Sequence, residues 1–172
     1  EAQEALQAGN EGIAYNLFKQ CETSETLDCF TQAKKLEKKL EPQYAELKAM
    51  ISDNSIKYAE VEKAANALTG YKNADYYKFY IEQCEKLAQS NTLQSIAFAY
   101  KDSDTYAIAT INKSDSNWDY VEVMHSEKSN GGKLDTDQVS QKLSDFFSKY
   151  VLYTENFDQI FDDDRETYKA RM

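Results

Sequence analysis

Near neutral pH the candidates for nucleophile and base in this chain are three cysteines and a single histidine, His125. A cysteine nucleophile needs a base within hydrogen-bond reach, so a dyad would require His125 beside Cys21, Cys29 or Cys84 in space, which spacing alone does not establish. One histidine excludes a multi-histidine zinc site, and a lone histidine at a strand end is ordinarily a surface residue. Cys21 and Cys29 are eight positions apart. On one continuous helix that separation puts their Cα atoms about 12 Å apart, too far for a bridge. They pair only if the chain turns between them. Glu22 to Thr26 offers such a turn, because Thr23, Ser24 and Thr26 are all capping types. A Cys21–Cys29 disulfide is therefore expected if the chain is exported to an oxidising compartment, and two half-buried thiols otherwise. Cys84 falls on an apolar stripe and reads as a small core residue.

Oxygen-rich clusters suggest phosphoryl or cation chemistry and fall short of it. Asp102, Ser103, Asp104 and Thr105 approach the D-x-D-x-T pattern of phosphotransferases with an aspartyl nucleophile, but one residue is missing before the threonine and no alternating α/β pattern surrounds it. A turn between strands accounts for the cluster better. Asp115, Asn117 and Asp119 match the start of a calcium loop, yet Tyr120 stands where the loop needs glycine and Ser126 where it needs glutamate. Asp162, Asp163 and Asp164 could hold a cation or a basic partner, or form a solvated acidic segment. Lys34, Lys35, Lys38 and Lys39 are interleaved with Glu37 and Glu41, as on a solvated helix face. Glycine-rich phosphate cradles and G-x-S-x-G elbows are missing from the sequence. No cofactor is called for.

The whole chain narrows the alternatives further. Its 172 residues suffice for one good core, and 41% hydrophobic residues suffice to fold it despite 29% charged ones. A net charge of -10 repels a phosphate backbone and an anionic membrane alike. Nucleic-acid binding is disfavoured, whereas a basic protein target, engaged by an acidic inhibitor or DNA mimic, is compatible. No apolar run approaches the roughly 20 residues of a bilayer span. The lack of methionine at Glu1 fits a removed signal peptide, a lipid anchor upstream or a trimmed chain, and leaves these open. Tyrosine is abundant, with 13 residues. Its amphipathic ring is enriched in protein interfaces, and the tyrosines off the apolar stripes, Tyr71, Tyr76 and Tyr106, are the candidates for a binding surface.

Hydrophobic period assigns the elements that would carry these residues. Glu1 to Gln20 reads as a helix weakened at Gly9 and Gly12, where a break is allowed; Leu27 to Met50 as a second, disturbed by Pro42; Ile56 to Leu68 as a third. Gly70 supplies the left-handed residue of a hairpin turn, Asn73 an N-cap, and Tyr77, Tyr80, Ile81, Cys84, Leu87 and Ala88 the stripe of a fourth helix. After Ser90 the period becomes two. Residues 96–100, 106–111 and 118–124 read as three strands of an antiparallel meander, with Ala97, Ala99, Ala107 and Ala109 leaving room for a helix against the sheet. Ser126 to Lys133 reads as a flexible polar loop. Two helices follow, one capped by Thr136 with Val139, Leu143, Phe146, Phe147 and Tyr150 inward, the other capped by Thr154 with Phe157, Ile160, Phe161 and Tyr168.

The run Gly70-Tyr71-Lys72-Asn73-Ala74-Asp75, followed by a helix carrying Cys84, resembles the helix-turn-helix repeats of exported bacterial proteins that are related to tetratricopeptide repeats. The resemblance covers Ala59 to Leu87, with Thr69 and Asn73 departing from the aspartates of that pattern. It implies a helical scaffold for peptides or partner proteins, in a periplasmic or cell-surface setting, and brings no catalytic residue. The sequence thus predicts an α+β fold: N-terminal helical hairpins of about four helices (1–90), then a three-stranded antiparallel meander and two helices (91–172), packed as one compact unit. Its expected function is non-enzymatic binding of a protein or peptide. The alternatives are a small enzyme using Cys84 or His125 and an acidic inhibitor of a basic target.

Overall fold

The computed structural model describes residues 1–24, 28–101, 104–125 and 127–172, with the side chains of 104, 105 and 127–130 excepted. Among the described residues the fold is α+β, with seven α-helices and one antiparallel five-stranded sheet. It divides into two compact units, Glu1–Ile81 with Arg171, and Glu82–Ala170 with Met172.

The first unit holds α1 (Ala2–Gln7), α2 (Glu11–Gln20), α3 (Cys29–Ser52), α4 (Tyr58–Ala67) and the start of α5 (Ala74–Gln89). The expected first helix is two helices. Gly9 takes a left-handed φ of +81° between them, which a helix interior cannot accommodate. The α3 helix continues through Pro42. Cys21, just past α2, and Cys29, the first residue of α3, form a disulfide with Cα atoms 5.7 Å apart. The turn expected between them lies partly outside the described residues.

Between α4 and α5 the chain reverses at Gly70, whose φ of +78° is the left-handed conformation expected of it. Asp75, in the first turn of α5, accepts a hydrogen bond from the Gly70 amide at 3.0 Å, and the Asn16 side-chain amide donates to the Gly70 carbonyl. The turn lies against α2. A Cβ added at Gly70 would stand 2.9 Å from Ile13 Cγ1, so side chains here meet both torsional strain and contact. Gly70→Val is expected to cost at least the roughly 1–2 kcal/mol of left-handed strain. A thermal melt beside Gly70→Ala, which should lose less, checks it.

The second unit holds β1 (Leu93–Lys101), β2 (Asp104–Ser114), β3 (Asn117–Met124), β4 (Glu127–Leu134), α6 (Thr136–Tyr150), β5 (Asn156–Phe161) and α7 (Arg165–Arg171), except for Arg171. The strand order is β4-β3-β2-β1-β5. Ala97, Ala99, Ala107 and Ala109 are buried on one face, and α6 settles there through Phe146 and Tyr150. This is the close approach that the alternating alanines foretell. Ile96 and Phe98 are fully buried on the other face.

Three sequence expectations are corrected here. The polar stretch from Ser126 to Lys133 is not a loop over its described part: Glu127–Leu134 forms β4, antiparallel to β3. Gly131 and Gly132 signal a turn, but here they pair opposite Val121 and Tyr120 in an edge strand, where the backbone ladder to β3 holds them extended and a Cβ at Gly132 would meet nothing within 4 Å. The final helix is shorter than its stripe suggested, since Asn156–Phe161 is β5, paired to β1, and α7 starts only at Arg165. Phe157 and Phe161 are four apart, a spacing that shares one face in a helix and in a strand alike. Tertiary pairing with the apolar β1 decides between the two. Finally, Asp135 caps α6 in Thr136's place, in a reciprocal box with Gln138: the Gln138 amide donates to Asp135 Oδ1 at 2.9 Å and the Asp135 amide to Gln138 Oε1 at 3.0 Å.

Candidate functional site

Two of the three tyrosines expected at a binding surface are core residues. Tyr71 is fully buried, with Tyr15 at 4.9 Å and Tyr44 at 5.8 Å between ring centroids, and its hydroxyl donates to Glu41 Oε2 at 2.7 Å. Burial, then Glu41, pushes the Tyr71 phenol up; hydrogen bonds from Lys72 and Tyr71 hold the Glu41 carboxyl low. Tyr76 is also buried and packs on Tyr77 and Tyr80. Tyr71 precedes α5, in the turn at Gly70, and Tyr76 lies off the stripe's centre of a helix that buries residues on more than one face, so neither reaches solvent as expected. Burial and the neighbouring Tyr44 push the Tyr77 phenol up to about 12.

Tyr106 is half-buried at the start of an aromatic chain in the second unit. It stacks on Tyr153 at 5.7 Å and meets Tyr150 at 5.4 Å and His125 at 5.2 Å. From Tyr150 the contacts continue to Phe146 (5.0 Å), Phe147 (5.5 Å) and Phe157 on β5 (5.7 Å). His125 is exposed, at φ +54°, with its amide bonded to the Tyr106 carbonyl. Cys21 and Cys29 are consumed in their bridge and Cys84 is buried. Asp119, from the calcium-like pattern, accepts from Ser114 and pairs with Lys133 at 3.0 Å, and no cluster of metal-ligating side chains occurs among the described residues. The Asp102–Thr105 cluster lies outside the described side chains.

The most chemically loaded group is one that sequence reading passed over. Glu122 on β3 is 5% exposed, and its Oε1 accepts from the Tyr150 hydroxyl at 2.7 Å and from Lys149 Nζ at 3.1 Å, both on α6. Its Oε2 accepts from the Tyr120 hydroxyl at 2.9 Å. Burial alone would raise this carboxyl, but the Tyr150, Lys149 and Tyr120 hydrogen bonds outweigh it and hold the group below the ordinary glutamate range. A carboxylate so enclosed joins helix to sheet. The signal was in the alternation, where Glu122 shares a row with Trp118, Tyr120 and Met124. Because its folded pKa is lowered, it contributes stability that is full above the ordinary glutamate value of about 4.3 and lost as pH falls through the folded value. Glu122→Gln should therefore be less stable at neutral pH and lose less on acidification than the parent, as denaturant midpoints at about pH 7 and pH 3 would show.

The exposed apolar surface of this unit concentrates where α6 ends and β5 begins. Val151, Leu152 and Tyr153 form a 3-10 turn with Leu152 85% exposed, and Phe157 and Phe161 project from one face of β5, both exposed. The Thr154 hydroxyl fixes the connection, donating to the Tyr100 carbonyl and accepting from the Asn156 amide at 3.2 Å. β5 is an edge strand of the sheet, so one row of its backbone groups has no strand partner. Arg165 anchors the far end, its guanidinium donating to the carbonyls of Leu87, Ser90 and Leu93. In the first unit, a groove of about 380 Å³ is lined by residues including Gln43, Met50, Glu60, Lys63 and Leu68.

No protein-family model, curated protein or solved structure matches this chain. Among the described residues no helix is long and apolar enough to cross a membrane.

Proposed function

We propose that this chain is a non-enzymatic module that binds a protein or peptide partner, and that the partner docks on β5 as an added strand. One observation carries the reading: Leu152, Tyr153, Phe157 and Phe161 are large, exposed and apolar, and they adjoin an edge strand held in place by Thr154 and Arg165. Strand addition takes affinity from main-chain hydrogen bonds and specificity from alternate side chains. Phe157 and Phe161, two steps of the pleat apart, would supply the alternate contacts. The tetratricopeptide-like pattern of Ala59 to Leu87 supports a partner-binding scaffold in the helical unit as well.

Selection from a random peptide library displayed on phage, using the full chain as bait, tests the docking site. Selected peptides should lose binding to a Leu152→Ser, Phe157→Ser variant. Recovery of no binder, or equal binding to that variant, overturns the reading. The Cys21–Cys29 bridge supports an exported protein, since such bonds persist where thiols are not kept reduced. Thiol titration of unfolded protein from its native compartment should find Cys84 alone reactive until reductant is added; three reactive thiols would remove that support.

A further inference from the structure

The segment that carries β5 has an unbalanced charge. Glu155, Asp158, Asp162, Asp163 and Asp164 fall within it, and Lys and Arg are absent between Glu155 and Asp164. Glu155 precedes the strand and the three consecutive aspartates follow it, so carboxylates bracket both ends of an edge about 20 Å long. Glu155, Asp163 and Asp164 are exposed, and among the described residues none of these three, nor Asp162, forms an ion pair. Between the brackets, Phe157 and Phe161 are exposed, and so is Leu152 four residues before the strand.

We infer that the occupant of the β5 edge is an extended basic segment, in which lysine or arginine alternates with apolar residues. This rests on the docking reading above and adds the chemistry of the partner. A strand of matching length laid along β5 would place cations against both acidic ends while its apolar side chains meet Phe157 and Phe161. The same charges act against the other obvious occupant, a second copy of the chain. Antiparallel pairing of two β5 strands would set Glu155 of each copy beside the aspartates of the other, and like charges across an interface suppress that partner. Nucleic acid is repelled for the same reason. Acidic ends thus keep copies apart and select for a basic strand.

Fluorescence anisotropy with the full chain and three labelled peptides of about eight residues, the length of β5 with its flanks, tests the inference. Valine alternates with lysine in one, with threonine in the second and with glutamate in the third. The lysine peptide should bind tightest, by about tenfold over the threonine peptide at low salt, with the gap closing as the Debye length shrinks from ~30 Å at 0.01 M to ~3 Å at 1 M. An Asp162→Asn, Asp163→Asn, Asp164→Asn variant should narrow the gap and leave threonine-peptide binding unchanged. Equal binding of lysine and threonine peptides at low salt, both weakened by Phe157→Ser, would overturn the charge preference and leave the edge site standing. Lysine-peptide binding untouched by Leu152→Ser, Phe157→Ser would be diffuse charge attraction and would overturn both readings. So would no binding by any of the three.

Discussion

Arg171→Ala is expected to be among the most destabilising single substitutions in the helical unit. The side chain is 4% exposed, and its guanidinium donates three hydrogen bonds of 2.9 Å, from Nε to the Ile56 carbonyl, from Nη1 to Ile51 and from Nη2 to Met50. Met50 and Ile51 lie in the last turn of α3, where carbonyls run short of intrahelical partners, the Met50 oxygen meeting the Asp53 amide at a long 3.3 Å, and the helix dipole favours a cation. The guanidinium also stacks over the Tyr58 ring at 4.6 Å. Each charged hydrogen bond is worth about 1.5–3 kcal/mol, and three on one group do not add in full, so a loss of about 3–5 kcal/mol is expected. Against a total of about 5–15 kcal/mol, with about 2–4 °C per kcal/mol at this size, the melting temperature should fall by roughly 6–20 °C. Lysine should rescue only part of it, because one ammonium lacks the planar fork that spans three acceptors. Fluorescence of Trp118, the only tryptophan, follows the other unit, and tyrosine near-UV dichroism follows both, so a dichroism transition that precedes the Trp118 transition belongs to the helical unit. A shift under about 2 °C would mean that water serves those carbonyls equally well.

Gly12→Ala gives a second large effect, of a sign that local reasoning gets wrong. Within a helix, alanine is favoured over glycine by about 1 kcal/mol, so propensity alone predicts a stabilised α2. In the folded protein a Cβ at Gly12 would stand under 3.0 Å from the Thr69 carbonyl oxygen, 2.9 Å from the Tyr71 nitrogen and 3.1 Å from the Leu68 oxygen. These are backbone atoms of the turn around Gly70, and they cannot rotate away. Forcing them apart costs about 1–3 kcal/mol and disturbs the neighbouring Tyr15–Tyr71 contact. The net expectation is a lower melting temperature. A raised one would show that the turn gives way freely and that α2 and the hairpin are not locked together.

What could be read from the sequence depended on whether a signal was local. The left-handed Gly70 and the alternating alanines under α6 were legible, because each follows from one residue's sterics or one strand's period. Phe157 and Phe161 were not assignable, since their spacing fits two periods and only pairing with β1 selects one. Glycines that look like loop punctuation sit in β4 because backbone pairing with β3 holds them there, a tertiary effect that no local signal carries. Tyr71 was singled out correctly as unusual and placed on the wrong side of the surface, as a turn residue that folds inward against Tyr15 and Tyr44. Of the three tyrosines singled out, Tyr106 alone keeps part of its surface open, stacked on Tyr153. The exposure of Leu152 and Phe157 could not be read from the sequence, because exposure is a property of the assembled sheet.

The position of Arg171 also has a consequence during synthesis. The rest of the unit it completes ends at Ile81, so ninety residues (171 minus 81) must be translated before the guanidinium can reach the end of α3. At about 5–20 residues per second, that is roughly 5–20 s in which the earlier helices have emerged without their last tether. On the ribosome, the nascent helical unit should therefore be sensitive to protease near Met50 to Ile56, and that sensitivity should end only when the codon for Arg171 has been read and its residue has cleared the exit tunnel.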